Sequence, residues 1–208
     1  VLQCAREAGV KRLMYSSTSA GYGMNTQPNV ETQPDDCLNP YSISKVNGEK
    51  LCKMYTDLFN LDTVIFRYFN VYGERQPIRG QYAPVIGIFL RQLEAGQPLT
   101  IVGDGEQRRD FTYVKDIVNA NIMAALSNAD KEAYGQVYNV GSGVNYSVNE
   151  VAEMISNNIK YIPPRSGEAR ISLANVDKIY KTFAWKPQQS LEKWIKSAVE
   201  QIYIHWSR

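Results

Sequence analysis

Tyr41 and Lys45 stand four residues apart in the stretch NPYSISK, residues 39–45. On a helix this spacing stacks both side chains on one face and brings the lysine ammonium near the tyrosine phenol. A free phenol loses its proton near pH ~10, and a close positive charge lowers that by roughly one to three units. A tyrosine beside a lysine is therefore an acid–base unit that needs no histidine. Standing alone, the same pair is met on ordinary solvated helix faces. Here it has company upstream, where YSSTSAGYG, residues 15–23, gathers hydroxyls behind an apolar run. Open α/β sheets place ligands at such strand ends, and Thr18 could share a substrate hydroxyl that Tyr41 deprotonates. A serine- and threonine-rich stretch after a strand also makes turns and helix caps.

The rest of the composition narrows the chemistry. The chain has one histidine, His205, close to its end, so the sequence offers no partner for a Ser-His-Asp triad, a Cys-His pair or an HExxH zinc site. Cys4, Cys37 and Cys52 are an odd number without metal-ligand spacing, a pattern that fits reduced thiols in the cytoplasm rather than a disulfide framework. With 208 residues, 44% hydrophobic and 21% charged, the chain reads as globular, in one or two domains. A net charge of +2, evenly spread, points away from nucleic acid and membrane surfaces and leaves phosphates on a small ligand open. Neither a signal peptide nor an apolar run of transmembrane length is read in it.

The elements that must hold these residues can be read from periodicity. VLQCAREAGV reads as the last turns of a helix closed by Gly9, followed by a buried strand at RLMYSS. Asn39 caps the next helix and Pro40 suits its first turn. Leu51, Met54, Tyr55 and Leu58 then recur at helical spacing to about Phe59. DTVIFRYFNVYG gives another strand. Strand, helix, strand in this order predicts a right-handed βαβ crossover and a parallel sheet. Further on, a helix is expected over VIGIFLRQLEAG, strands at LTIVG and RDFTYV, a helix over DIVNANIMAALSN and a strand at QVYNVGSG. Ser147 and Glu150 form a capping box for a helix ending near Asn158, and Ser190 caps a last one from Leu191. IPPRSGEAR is the most loop-like stretch of the second half. The glycine fingerprint G-x-G-x-x-G of a dinucleotide-binding turn is missing, since GDG at 103 and GSG at 141 lack the third glycine.

Five stretches, YSSTSAGYG, NPYSISK, RYFNVYG, GDGEQRRDFTYVKD and RSGE, occur in the order and spacing seen in the extended short-chain dehydrogenases/reductases. The chain most resembles the nucleotide-sugar 4-epimerases of that family, those of UDP-glucose and UDP-N-acetylglucosamine, along nearly its whole length. Members carry a glycine-rich phosphate turn and first strands ahead of the region matched here. The resemblance thus implies the C-terminal part of such an enzyme, with the missing fingerprint expected upstream of Val1. It implies an α/β fold, the later part of a Rossmann-like doubly wound parallel sheet joined to a smaller α/β substrate-binding domain. Residues 1–70 would be the remainder of the NAD-binding domain and 71–208 mainly the nucleotide-sugar region, with segments around 110–140 candidates to rejoin the first.

The function implied is C4 epimerisation of a UDP-sugar through a 4-keto intermediate, with NAD as cofactor. Tyr41 as phenolate would take the O4 proton, Lys45 would hold the nicotinamide ribose, and Thr18 would share the O4 hydrogen bond. Ser16, Tyr68 and Phe69 match cofactor-side residues, and Asn70 a diphosphate or sugar contact. Arg109 and Arg165 match two arginines that meet the diphosphate, where guanidinium forks suit phosphate oxygens. Glu168 matches an acidic residue on the uridine ribose, and the strand through Thr100 and Val102 would offer backbone groups to uracil. Ser172 falls where the sugar's C2 substituent lies, a position that is bulky in members restricted to plain hexoses, although a shift by one would put Ile171 or Leu173 there. The 4,6-dehydratases and decarboxylases of the superfamily place an acid after the catalytic threonine, whereas here Ser19 and Ala20 follow Thr18. A sugar-nucleotide-binding fragment without turnover, or a dehydratase relative, is the competing reading. The resemblance also implies a homodimer built on the helix at 40–59 and the helix ending near Ala8.

Overall fold

The computed structural model describes residues 1–80, 83–164 and 169–206. Its centre is a three-stranded parallel sheet in the order β1 (Arg12–Thr18), β2 (Asp62–Tyr68), β7 (Gln136–Val140). β2 is covered on both faces, with Thr63 through Arg67 all buried, which is why its run VIF is continuously apolar instead of alternating. Val64, Phe66, Tyr138 and Val140 pack there against Ile117, Ile179 and Trp185. The last three come from α4 (Val114–Leu126), α6 (Asp177–Phe183) and the turn after it.

Between β1 and β2 runs α2, Pro40–Phe59, as the sequence predicts. The Asn39 side chain accepts the Ser42 N–H at 2.9 Å and Ser42 Oγ answers the Asn39 N–H, a reciprocal cap that fixes where Tyr41 enters the first turn. The side of α2 turned to the sheet carries Ser42, Val46, Glu49 and Cys52, all buried. Its apolar residues Leu51, Met54 and Leu58 lie on the other side and are exposed, beside α1 (Leu2–Glu7). At Gly48 α2 packs tightly on β1: a Cβ there would overlap the Tyr15 phenol. A glycine costs about 1 kcal/mol in a helix interior, and here it permits the close approach.

A second core lies beyond this sheet. Tyr72, Phe89, Leu99, Ile101, Val151 and Ile195 form it, drawn from β3 (Val71–Tyr72), α3 (Val85–Glu94), β4 (Leu99–Val102), α5 (Val148–Glu153) and α7 (Leu191–Trp206). β4 pairs in parallel with β9 (Ile159–Ile162), while β5 (Arg108–Asp110) pairs antiparallel with β8 (Asn145–Ser147) and β3 pairs with β6 (Thr112–Tyr113).

Several boundaries differ from the periodicity reading. The run 62–73 breaks into β2 and β3 because Phe69 donates its N–H to Val140 and Asn70 turns aside. RDFTYV likewise breaks at Phe111 into β5 and β6, each with a different partner. The helix over DIVNANIMAALSN begins earlier, at Val114, and stops at Leu126. α5 keeps its capping box but ends at Glu153 instead of near Asn158, since the chain must leave to form β9. All three cysteines are free, and burial, then the Glu49 carboxylate, pushes the Cys52 thiol up to about 11. Among the described residues no helix is long and apolar enough to cross a membrane.

Candidate active site

Thr18, Tyr68 and Val140 end the three central strands in register, and a cleft of about 420 Å³ opens beside these carboxyl ends. This is where parallel sheets receive ligands. Thr18 and Tyr41 both line it. The Thr18 Oγ accepts the Ala20 N–H at 3.1 Å, which seats the 3-10 turn Ser19–Tyr22 and leaves the hydroxyl its own hydrogen to donate. Tyr41 is 53% exposed at the mouth of α2, and the Lys45 ammonium lies 6.0 Å from the centre of its ring. That ammonium donates to the Ser16 carbonyl at 2.9 Å, so strand β1 holds it at the end of the sheet.

The other wall comes from the two strand breaks. Tyr68 bonds Asn121 through its hydroxyl and accepts from Ser16 Oγ at 3.4 Å, while Phe69, fully buried against Tyr22, lines the cleft floor with it. The Asn70 amide donates to the Asp110 carbonyl at 2.9 Å and to Ser172 Oγ at 3.4 Å. Ser172 lines the cleft, and so does its neighbour Ile171. A second lobe of about 300 Å³ shares Asn70, Val71 and Arg109 with the first and is lined by Thr100 and Val102. Thr100 is tied by its N–H and its hydroxyl to Gln92. Arg109 sits at the junction of the lobes, donating to the carbonyls of Arg108 and Arg170. Of the residues expected at the site, Arg165 and Glu168 lie outside the described residues. Ser16 stands behind the cleft as the anchor of Lys45 and does not line it.

Spacing alone did not reveal three residues that shape this site. Asp110, fully buried, takes the N–H groups of Ser142, Gly143 and Ala174 and the Ser142 hydroxyl at 2.7–3.0 Å. Burial pushes its carboxyl up from the usual range, and these donors pull against that shift. Asn29 reaches the cleft through a bridge to Ala174, and nothing local in the sequence marks it. Glu49 could have been found by extending the Tyr41, Lys45 spacing one more turn along the same face.

A cleft at parallel strand ends, with tyrosine and lysine on one helix face and threonine opposite, is joined to a second, smaller lobe. The model of the NAD dependent epimerase/dehydratase family matches residues 1–141. The chain belongs to this family. Its relatives in the family include the UDP-glucose 4-epimerase of Mycolicibacterium smegmatis, 34% identical over 206 residues, covering 95% of this chain and 64% of the relative. A solved UDP-N-acetylglucosamine 4-epimerase of Methanobrevibacter ruminantium, in complex with UDP-N-acetylmuramic acid, superimposes with a TM-score of 0.88 at 33% identity. That match covers 98% of this chain and 66% of that one. The epimerase/dehydratase family is chemically mixed, and so are the relatives. A UDP-N-acetyl-alpha-D-glucosaminuronate decarboxylase of Bacillus cytotoxicus is 40% identical over 163 residues, 74% of this chain and 48% of the relative. The mouse dTDP-D-glucose 4,6-dehydratase is 30% identical over 214 residues, 96% of this chain and 58% of the relative. The chain spans less than two thirds of the length of these curated relatives.

Proposed function

We propose that the complete protein is an NAD-dependent nucleotide-sugar 4-epimerase, acting on UDP-N-acetylglucosamine and UDP-N-acetylgalactosamine and on UDP-glucose and UDP-galactose. The observation that carries this reading is the lining of the cleft. It presents Thr18 and Tyr41, and among the described residues it contains no aspartate or glutamate. An enzyme that eliminates water or carbon dioxide after oxidation needs an acid at the sugar, as the relatives of that kind are expected to carry. Reversing one stereocentre needs only a proton shuttle and room to turn.

The residues present fit the nicotinamide end of the cofactor. Lys45 is held by the Ser16 carbonyl of β1 just behind the cleft lining, one helical turn from the exposed phenol of Tyr41. When bound, NAD supplies a reversible hydride acceptor for the sugar C4. In this reading the Tyr41 oxygen takes the O4 proton as the C4–H bond gives up its hydride, and returns the proton when the 4-keto sugar has turned its other face. Thr18 steadies O4 through its hydroxyl. Arg109, at the junction of the lobes, meets the diphosphate, and Asn70 contacts the diphosphate or sugar. The strand through Thr100 and Val102 borders the base. Arg165 and Glu168 keep the roles the resemblance gives them.

Ser172 sets the sugar. A serine beside the cleft leaves room for an acetamido group at C2, and a large side chain there excludes the larger ligand by overlap while sparing the smaller one. The test follows both UDP-sugars by NMR with the complete protein and its Ser172→Tyr variant. The wild type should interconvert the N-acetylated pair at least as well as the plain pair, and the variant should lose only the N-acetylated reaction. Equal loss on both, or a wild type blind to N-acetylated sugars, contradicts the assignment of Ser172.

A further inference from the structure

The reacting walls of the cleft come from different elements, Thr18 from the end of β1 and Tyr41 with Lys45 from α2. Their spacing is set beneath the cleft. Glu49 continues the Tyr41, Lys45 face of α2 and is 4% exposed. Its Oε1 accepts from Ser17 Oγ and, at 2.9 Å, from Arg67 Nε, while its Oε2 accepts from Arg67 Nη2 at 2.7 Å. The same Nη2 donates to Asp35 Oδ1 at 2.8 Å, in the segment that leads into α2. The guanidinium also lies 4.5 Å from the centre of the Tyr22 ring, and Tyr22 and Ser17 both line the cleft. One buried group therefore touches β1, α2, the 3-10 turn and the approach to Tyr41.

Fold stability is a poor explanation for such a group. Apolar side chains of similar volume commonly replace a buried ion pair without loss. What the fork adds is direction, because two parallel hydrogen bonds fix an angle as well as a distance. We infer that Glu49 and Arg67 act as a positioning clamp that sets the register of the Tyr41–Lys45 face of α2 against Thr18, and ties the segment at Asp35 to it. The inference rests on the reading of Tyr41 as the proton-transfer group, and the clamp acts through that residue without touching substrate.

The test is a variant of the complete protein carrying Glu49→Leu with Arg67→Met, which keeps volume and removes direction. Four quantities are read: the thermal midpoint, hydrogen exchange of the amides at 39–45, and kcat and KM for UDP-sugar epimerisation. The clamp requires a folded variant with faster exchange at 39–45 and kcat down ~10²-fold with KM little changed, the effect of a misplacement on the order of 1 Å. A folded double variant with unchanged exchange and unchanged kcat overturns it. If the double variant does not fold, Glu49→Gln, which keeps the shape and breaks the charged fork, is read in the same way, and unchanged exchange and kcat overturn the clamp. A wild type that fails to interconvert C4 epimers counts against the proposed function, while the exchange rates at 39–45 still decide the clamp.

Discussion

The phenolic oxygen of Tyr41 is a single atom, and Tyr41→Phe removes it while keeping a ring that is half exposed and carries little of the core. Loss of a positioned general base lowers turnover by ~10²- to 10⁴-fold. The expected outcome for this variant of the complete protein is that loss with an unchanged thermal midpoint, read from initial rates and a melting curve. Wild-type turnover in a folded Tyr41→Phe would assign the base elsewhere. At this scale the sequence was most informative where chemistry is local. Tyr41, Lys45 and Thr18 are singled out by residue type and spacing, and the structure brings Thr18 and Tyr41 to one cleft with Lys45 behind them. Asp110 and Asn29 were silent, because each acts through partners far away in the chain, as Asp110 does through Ser142 and Ala174.

Elements with their own punctuation were legible for the same reason. α2 carries its cap in Asn39 and Pro40, and α5 carries a capping box in Ser147 and Glu150, both formed as read. The strand breaks at Phe69–Asn70 and Phe111 were not legible, since local β-propensity runs on through them and tertiary hydrogen bonds stop it. The capping box makes a pH prediction. The Ser147 N–H, with help from Arg108, holds the Glu150 carboxyl below its usual range. A carboxylate lowered on folding stabilises the native state above the unfolded value near ~4.3, and that contribution fades as pH falls through the lower folded value. Urea denaturation should therefore show Glu150→Gln destabilising most near neutrality and least in acid. Ser147→Ala should cost about 0.5–2 kcal/mol. A Glu150→Gln effect that grows on acidification would contradict the reading of the cap.

On the scale of the whole molecule, the outer face of α2 presents apolar side chains that its own chain leaves exposed. Leu51, Met54 and Leu58 are 38–67% exposed beside α1, whose Arg6 lies over the Phe59 ring. We propose that this face pairs with its copy in a homodimer of the complete protein. Sedimentation velocity at micromolar concentration should show a dimer, and a charge introduced by Leu58→Glu should shift it towards monomer. A wild type that sediments only as monomer would remove the proposal. The parallel order of the sheet was legible from the order of strands and helices. The pairing of β4 with β9 was not, because IKYI is only four residues long and nothing local says which distant strand it joins.

The central claim is that C4 of a UDP-sugar loses and regains the same hydride inside this cleft, with Tyr41 moving the proton. Its most direct test is a UDP-N-acetylglucosamine deuterated at C4, incubated in ordinary water with the complete protein and NAD and followed by NMR and mass spectrometry. Direct hydride return predicts UDP-N-acetylgalactosamine with the deuterium still on C4 and no loss of water or carbon dioxide. Deuterium washed into solvent or found on another carbon, or a dehydrated or decarboxylated product, would contradict it.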